Sequence, residues 1–254
     1  IAVADVDLDE TPGGLMHLTL EAPEGILTLG STAGLVDLSG NGESTVTFQA
    51  NVDDANAALN GLTFTPDQDE NGSTVVRITV NDQGNTGGGV GGGGFDDIRV
   101  VNIDIAALND PPQITVDPPG PLMATEDQDL AITSIRIDDP DVSETPGGEM
   151  IVTLRVDNGT LTVRDDAGIL IPGDISGNGT GTVIITASPD EINQTFALSN
   201  GLVYRAAPGY SGPDTLNIDA NDQGLSGAGG AGTDNEDVAI DVASINDPPQ
   251  IVVP

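Results

Sequence analysis

One stretch of sequence occurs twice in this chain, and this internal repeat limits the possible folds more than any other feature. The residues from Asp5 to Gly14 (DVDLDETPGG) return 134 positions later as DPDVSETPGG. The segments SGNG, NDQG and NDPPQI also occur twice in the same order, beginning at Ser39, Asn81 and Asn109 and again at Ser176, Asn221 and Asn246. Tandem copies of one structural unit are therefore predicted.

The spacing of these segments predicts how the 254 residues divide. We expect repeat one over residues 1–108, repeat two over 109–245, and a linker with the start of a third repeat over 246–254. Repeats of this length agree with the usual size of a domain, roughly 100 to 200 residues. Because repeat one has no counterpart of residues 114–134, we expect it to lack its opening strand and the chain to be an internal fragment of a longer protein.

Apolar and polar residues alternate along several short runs. Over residues 150–157 every second side chain is apolar, and the same period of two appears over 76–80 and 216–220. This period is typical of a strand with one buried face. Since turn residues separate the runs, the sequence predicts an all-β fold in which each repeat is an antiparallel β-sandwich.

A short helix is expected to interrupt the strands of each repeat. The segment Ser188–Glu191 (SPDE) has a serine cap, a proline in the first turn and a glutamate three residues after the cap, which is a helix-start pattern. We expect this helix to end at Gly201. Its counterpart runs from Asp53 to Gly61, and both helices are predicted at the edge of the sandwich.

The charge balance restricts the partners of the chain. Six basic residues stand against 41 acidic ones, which gives a formal net charge of −35. Such a chain repels nucleic-acid phosphates and anionic lipid surfaces, so we expect no nucleic-acid partner and no direct membrane insertion. Metal cations are the expected partners of the excess carboxylates. The chain contains no cysteine, which excludes disulfides and a thiolate zinc site.

No sequence feature singles out a catalytic group. His17, the only histidine, falls at an outward position of a predicted strand, and repeat two has Ile151 in its place. The glycine runs over 87–94 and 227–232 lack the lysine and the following helix of a phosphate-binding loop. Among the few aromatic residues only Tyr210 is expected to be free to stack on a sugar. We therefore predict no catalytic residue and no enzyme activity.

Four acidic motifs give the sequence a specific resemblance. They are the two NDPP linkers, Thr125-Glu126-Asp127 ahead of an apolar strand, Asp139-Pro-Asp141 after it, and NDQG at 221–224. With these motifs the chain resembles, over nearly its whole length, the bacterial cadherin-like repeats found in tandem in large calcium-dependent surface adhesins. The resemblance implies a cadherin-like or Ig-like Greek-key sandwich, a cell-surface or secreted extracellular location, and Ca²⁺ bound between repeats.

The resemblance also implies which side chains hold the ion, since Ca²⁺ takes about six to eight oxygen ligands. For the junction between the repeats the implied ligands are Asn109, Asp110, Asp139, Asp141 and Asp222, with Asp67 and Asp69 from repeat one. The junction before repeat one would use Asp5, Asp7 and Asp82, and the junction beyond repeat two would use Glu126, Asn246 and Asp247. Repeat two has Ala207 and Gly209 in place of Asp67 and Asp69, so a weaker site is expected below it.

Two functions remain open from the sequence. In the first, Ca²⁺ stiffens neighbouring repeats of the same chain into a stalk or adhesion segment of a large cell-surface protein. In the second, the repeat is a glycan-binding or homophilic adhesive module, whose partner is a cell-surface glycan or another cadherin-like chain. The Asn-Asp-Pro-Pro linker is also a good turn without any metal, because Asx side chains bond nearby backbone and proline fixes φ.

Overall fold

The structure is a computed structural model that describes residues 1–6, 8, 13–84, 94–225, 227–246 and 248 of the chain. The chain divides into two compact units, Ile1–Ala107 and Leu108–Pro254. Each unit has an apolar core of its own. Within the described ranges no helix is long and apolar enough to cross a membrane.

Unit 1 is built mainly from antiparallel strands. Its elements are β1 (Met16–Glu21), β2 (Gly25–Thr28), β3 (Val36–Ser39), β4 (Thr45–Ala50), α1 (Val52–Leu59), β5 (Thr63–Pro66), β6 (Gly72–Asn81) and β7 (Asp96–Ile105). One sheet has the strand order β3-β4-β1-β6-β7, and β2 pairs with β5 in a second sheet. Strand β7 is therefore an edge strand of the larger sheet.

The alternation of β1 sets the core of unit 1. Met16, Leu18 and Leu20 are buried, whereas His17 between them is half-buried. Leu18 lies opposite Phe48 of β4 in the antiparallel register, and both side chains are fully buried. Burial of a large apolar side chain stabilises a fold by about 1.5–3 kcal/mol, so the register of this sheet is fixed by its apolar face.

Unit 2 has the same arrangement with additional strands. Its elements are β8 (Gln113–Val116), β9 (Leu122–Thr125), β10 (Asp129–Ala131), β11 (Ile135–Asp138), α2 (Pro140–Glu144), β12 (Met150–Arg155), β13 (Gly159–Val163), β14 (Ile175–Ser176), β15 (Thr182–Ala187), α3 (Pro189–Phe196), β16 (Leu202–Ala206), β17 (Gly212–Asn221) and β18 (Thr233–Ala243). The largest sheet has the order β14-β15-β12-β17-β18-β9, and the smaller ones are β10-β16-β13 and β11-β8. Strand β9 is parallel to β18.

The sheets of unit 2 face one core. Leu154 of β12, Leu161 of β13 and Ile218 of β17 are fully buried in the same apolar cluster. The predicted all-β sandwich class is thus confirmed, with the one addition that β9 joins its sheet in parallel.

The capped helix predicted in unit 2 is present. Ser188 Oγ accepts a hydrogen bond from the Glu191 backbone N–H at 3.3 Å, and the Glu191 carboxylate accepts one from the Ser188 backbone N–H at 3.2 Å. The predicted end at Gly201 is wrong, since α3 ends at Phe196. Short i to i+3 hydrogen bonds from Leu198 to Thr195 and from Gly201 to Leu198 continue the segment as turns.

The helix of unit 1 differs slightly from the prediction. It spans Val52–Leu59, and Asn51 caps it by accepting from the Asp54 backbone N–H, so it begins before Asp53 and ends before Gly61. Helix α2 of unit 2 was not predicted. It is a single turn at Pro140–Glu144 in a segment with little apolar periodicity.

An asparagine of each long helix holds a neighbouring strand segment. Asn193 of α3 accepts from the Ile137 N–H at 2.9 Å and donates to the Ile137 carbonyl at 2.7 Å. Asn56 of α1 makes the same pair of bonds with Val3, both at 2.9 Å. The two asparagines occupy equivalent places in the repeats, so these bonds are a shared structural device that the sequence analysis did not identify.

Candidate cation site

Five of the predicted ligands lie together at one end of unit 2. Asn109 and Asp110 precede β8, Asp139 and Asp141 flank the start of α2, and Asp222 follows β17. The Asn109 amide Nδ2 donates to Asp222 Oδ2 at 2.7 Å, and the Asp110 backbone N–H donates to Asp141 Oδ2 at 2.6 Å. Residues more than 100 positions apart in the chain therefore meet at this site.

Asp222 is fully buried and anchors the loop between β17 and β18. Its Oδ1 accepts hydrogen bonds from the backbone N–H groups of Gly224 and Gly232, both at 2.8 Å. A carboxylate in this position organises the loop whether or not an ion is bound. The NDQG motif therefore has a structural role in addition to the role implied by the resemblance.

Asp139 is the N-cap of α2, and it is 2% exposed. Its Oδ1 accepts from the Val142 backbone N–H at 2.9 Å. Burial raises the pKa of the Asp139 carboxyl above its ordinary value; the Val142 hydrogen bond opposes the shift, and the nearby carboxylates of Asp222 and Asp141 add to it. This end of unit 2 thus concentrates negative charge where it is poorly solvated.

The arginines of the chain are paired elsewhere. The chain has no lysine, and its six arginines form ion pairs with Glu21, Asp97, Asp138, Asp157, Asp166 and Asp129. In the part of the chain that the structure describes, no arginine forms an ion pair with Asp139, Asp141 or Asp222. Buried charges are normally paired, coordinated to a metal or neutralised, and the hydrogen bonds described for these three carboxylates come from N–H groups.

A buried amide oxygen lies at the same end of unit 2. Asn109 Oδ1 is inaccessible to solvent and has no hydrogen-bond partner among the described residues. Carboxylate and amide oxygens are the ligands that Ca²⁺ prefers, so the residues present fit this ion in chemical type. No three acidic or histidine side chains in the described ranges stand as a preformed metal-binding group. The carboxylates of Asp139, Asp141 and Asp222 instead accept bonds from N–H groups.

Unit 1 repeats part of this arrangement. Asp5 Oδ1 accepts from the Leu8 backbone N–H at 3.1 Å, as Asp139 does from Val142. Asp82 Oδ1 accepts from the backbone N–H groups of Gly84 and Phe95 at 3.0 and 2.7 Å. Asp5 and Asp82 line one cavity of unit 1. Asp7, predicted with them, lies outside the described residues.

Asp67 and Asp69 lie at the other end of unit 1. They are exposed in the turn between β5 and β6, and Asp69 has a φ of 62°. Asp82 follows β6, a strand of ten residues, which spans roughly 33 Å. Asp67 and Asp69 therefore cannot share an ion with Asp5 and Asp82 of the same unit. Their predicted partnership with the ligands of unit 2 stays a prediction.

Glu126 lies at the opposite end of unit 2 from Asp222. Its Oε1 accepts from the Ile245 backbone N–H at 2.5 Å, and its own N–H bonds to the carbonyl of Ala243 at the end of β18. Glu126 is only 4% exposed. The structure thus brings Glu126 beside the residue that precedes Asn246, whereas Asp247 lies outside the described residues.

The sequence analysis missed a buried carboxylate in unit 2. Asp214 of β17 is 6% exposed and accepts from the Tyr204 hydroxyl at 2.9 Å, the Thr215 N–H at 2.9 Å and the Asn158 N–H at 3.1 Å. Burial, followed by the hydrogen bond to Asp214, raises the pKa of the Tyr204 hydroxyl. The sequence signal that could have revealed this buried acid is the period of two along β17, because Asp214 stands at an inward position two residues before Leu216 and four before Ile218.

Tyr210 was expected to be free for sugar stacking, and this expectation is wrong. Its ring packs partly against the core of unit 2, and its hydroxyl donates to the carbonyl of Pro213 at 2.5 Å. The reason is local, because the turn before β17 folds the tyrosine back onto the strand that follows.

Comparisons with known proteins give similarity of structure only. No family model matches the sequence, and no curated protein matches it. Protocadherin gamma B2 extracellular cadherin domains 3-6 are 14% identical, with 87% of this chain and 41% of that chain covered and a TM-score of 0.32. Human mucin-like protocadherin EC1-2 is 14% identical, with coverages of 88% and 86% and a TM-score of 0.33.

Human CDH23 EC21-23 is 12% identical, with 95% of this chain and 66% of that chain covered and a TM-score of 0.35. Of the protocadherin gamma B2 structure, this chain covers 41%, which is less than half of its length. All three TM-scores are below 0.5, so the all-β class of this protein is based on its own strand pairing.

Proposed function

We propose that this chain is a calcium-binding, extracellular repeat segment that serves as a stalk or adhesion part of a large cell-surface protein and has no catalytic activity. One observation carries the proposal. Three buried aspartates, Asp139, Asp141 and Asp222, lie at the end of unit 2 where the Asn109 amide donates to Asp222, and the six arginines pair with other acids. The resemblance to bacterial cadherin-like adhesin repeats agrees with this function.

The ion would be held by the oxygens of Asn109, Asp110, Asp139, Asp141 and Asp222. In the longer assembly we assign Asp67 and Asp69 to the same junction, Asp5, Asp7 and Asp82 to the junction before repeat one, and Glu126, Asn246 and Asp247 to the one beyond repeat two. Bound Ca²⁺ would place a positive charge beside these carboxylates. Ca²⁺ suits such a set better than Mg²⁺, which requires near-octahedral geometry and releases its waters reluctantly.

The extracellular location follows from the ion. Calcium sites of extracellular modules have dissociation constants of about 10⁻⁴ to 10⁻³ M, and such sites are filled only where Ca²⁺ is abundant. A site that holds two successive repeats would restrict their relative motion, and this restriction is the proposed mechanical role. Neighbouring repeats of the same chain are then the principal partners.

The proposal is tested by removing one charge and keeping the local fold. Asn is as good a helix cap as Asp, so Asp139→Asn preserves the start of α2 while it removes a negative charge from the cluster. We expect calcium affinity, measured by isothermal titration calorimetry, to fall at least tenfold. Stability without calcium should stay the same or rise, because burial disfavours the ionised carboxyl.

The matched control is Asp219→Asn, the same change on the outward face of β17. It should leave calcium affinity within about twofold of the natural chain, because this side chain lies three residues before the cluster and points away from the core. Equal calcium affinity in Asp139→Asn and the natural chain, or no heat of binding in either, would show that the acidic motifs are turns and caps only.

A further inference from the structure

Some asparagines of this chain are followed directly by glycine, and this pair has a chemistry of its own. Asparagine is thermolabile, because the backbone nitrogen of the next residue can attack its side-chain amide. Glycine has no Cβ to hinder that attack. The asparagines that precede a glycine are Asn41, Asn60, Asn71, Asn158, Asn178 and Asn200. The local structure around each pair decides which of them can react.

The two SGNG turns hold both reacting groups. In unit 2 the Asn178 amide accepts from the Val163 N–H and donates to the Val163 carbonyl, both at 2.8 Å. The Gly179 N–H donates to a backbone carbonyl at 2.8 Å. In the equivalent turn of unit 1, Asn41 accepts from a backbone N–H at 2.9 Å and the Gly42 N–H donates at 2.8 Å. Both turns are therefore protected.

Two further pairs adjoin strands. Gly72 begins β6 and pairs with Ile105 of β7, and Gly159 begins β13 and pairs with Ala206 of β16. Asn158, before Gly159, is half-buried and donates to a buried carboxylate at 3.5 Å. A glycine whose backbone belongs to a strand ladder cannot swing toward the side chain that precedes it, so these pairs are also constrained.

The last two pairs stand at equivalent places, directly before β5 in unit 1 and before β16 in unit 2. In unit 2 the pair is held on both sides. Asn200 Oδ1 accepts from Arg164 Nη1 at 2.9 Å, and the Gly201 N–H donates to the Leu198 carbonyl at 3.0 Å. Both the amide and the attacking nitrogen must lose a hydrogen bond before they can meet.

Unit 1 has no such arginine beside Asn60. The repeat alignment places Gly30 at the position of Arg164. A side chain cannot stand there, because a Cβ on Gly30 would collide with the Asn60 carbonyl oxygen. Asn60 is exposed, and within the described ranges neither its amide nor the Gly61 N–H makes a hydrogen bond. The same pair is thus shielded in unit 2 and open in unit 1.

The turn around Asn60 also has little to hold it. For the attack, the peptide between Asn60 and Gly61 must rotate about the Asn60 ψ angle, which is 109°. The turn is closed by a backbone hydrogen bond from the Leu62 N–H to the Leu59 carbonyl at 3.2 Å. Gly61 has a φ of 88° and no side chain to restrict it. The rotation therefore requires a small local change.

We propose that Asn60 is a site of spontaneous modification, at which the asparagine becomes aspartate or isoaspartate. The Gly61 nitrogen loses its proton and forms a bond to the Asn60 Cγ, and the bond from Cγ to the amide nitrogen breaks, so ammonia leaves. Water then opens the resulting succinimide ring at one of its two carbonyls. Attack at Cγ gives aspartate, and attack at the main-chain carbonyl gives isoaspartate. Water is the co-reactant, and nothing is oxidised or reduced.

The modification acts on the stability of unit 1. Isoaspartate carries the main chain through the side-chain methylene, which lengthens it where the Asn60 carbonyl packs closely against Gly30. Either product also adds a negative charge at the C-terminal end of α1, whose last turn has no basic residue. Negative charge is unfavourable at this end of a helix. Modified chains should therefore unfold unit 1 more readily than unmodified ones.

The test is peptide mapping by mass spectrometry of the folded chain, kept at mildly alkaline pH in water labelled with heavy oxygen. The label enters with the water that opens the succinimide, so it marks only the modification that occurs during the incubation. Two hydrogen bonds must break before Asn200 can react, and each slows the reaction by roughly fivefold. We expect Asn60 to be modified first of all the pairs, and at least about tenfold faster than Asn200.

The controls separate structure from local sequence. Arg164→Ala should speed the modification of Asn200 several-fold, whereas Arg155→Ala, which removes an arginine paired with Asp157, should not. Circular dichroism verifies that each variant is folded. In urea, where the fold is lost, all the pairs should react at similar rates. Another pair reacting first in the folded chain, equal rates at Asn60 and Asn200, the same lead of Asn60 in urea, or an unchanged Asn200 rate in Arg164→Ala would overturn the proposal.

Discussion

The two units differ in whether their core contains a buried polar pair. In unit 2 the buried Tyr204 hydroxyl donates to the buried Asp214 carboxylate at 2.9 Å. In unit 1 the equivalent residues are Phe64 and Thr74, so the hydroxyl and the carboxylate are both missing. A buried polar group without a partner costs about 1–3 kcal/mol. Unit 2 therefore has both the tyrosine hydroxyl and the carboxylate, and unit 1 has neither, although 10 residues separate the two positions.

A second difference concerns the edge of the larger sheet. Val238 of β18 is 4% exposed, whereas its counterpart Val101 of β7 is 37% exposed. In unit 2 β9 pairs with β18 and covers this edge, and no described residue forms such a strand beside β7. The low exposure of Val238 in unit 2 therefore depends on the strand β9 that pairs beside it.

The largest expected effect comes from breaking the network of Asp214. Asp214→Leu leaves the hydroxyl of Tyr204 and the N–H groups of Asn158 and Thr215 without their acceptor, and we expect a loss of about 3 kcal/mol or more of unfolding free energy. Both tyrosines of the chain, Tyr204 and Tyr210, lie in unit 2. Tyrosine fluorescence during urea unfolding therefore reports on this unit alone.

The control for Asp214→Leu is Asp219→Leu, the same change at a half-buried outward position of β17. It should alter the unfolding free energy by less than about 0.5 kcal/mol. Similar losses in both variants would mean that an acid on β17 matters for the charge of the strand and not for the buried network.

The next largest effect is the loss of unfolding free energy when the helix asparagines, Asn193 and Asn56, are replaced one at a time. Asn193→Ala removes both partners of the fully buried Ile137 backbone, and we expect a loss of about 2 kcal/mol in the tyrosine-detected unfolding of unit 2. Asn56→Ala should cost less than about 1 kcal/mol, because Val3 is only half-buried and water can replace the amide. This smaller loss should appear in circular dichroism and leave the tyrosine transition unchanged. Equal losses of unfolding free energy in the two variants would show that burial does not change how much these asparagine hydrogen bonds contribute.

The smallest effect is a loss of stability at alkaline pH that is specific to unit 2. An unfolded tyrosine ionises near pH 10, and the folded pKa of Tyr204 is higher because of burial and the bond to Asp214. The stabilisation from Tyr204 is therefore complete below about pH 10 and is lost as pH rises toward the folded pKa. At pH 11 the loss should be no more than about 1.4 kcal/mol, one pKa unit.

Tyr204→Phe, which installs the residue of unit 1, should remove this alkaline loss. The measurement is the urea midpoint by circular dichroism at pH 8 and at pH 11 in both proteins. Parallel declines in the natural chain and in Tyr204→Phe would assign the alkaline loss to the general negative charge of the protein.

Local sequence determined the elements whose causes lie within a few residues. The strand alternation of β12 and the capping box of Ser188 and Glu191 involve neighbours in the chain, and both were predicted. The repeat then extended these predictions from one unit to the other. The grouping of Asn109, Asp139 and Asp222 was predicted from the resemblance, whereas the hydrogen bonds that Asp139 and Asp222 accept from backbone N–H groups were not.

Tertiary structure decided the features that depend on residues far apart in the sequence. The clamp between Asn193 and Ile137 spans 56 positions, and the bond between Asn109 and Asp222 spans 113. No local pattern marks such pairs, because an asparagine that clamps a strand has the same neighbours as one that faces water. Whether a carboxylate is a buried acceptor or a solvated charge depends on what the fold places against it, since desolvation and the supply of donors are properties of the assembled core.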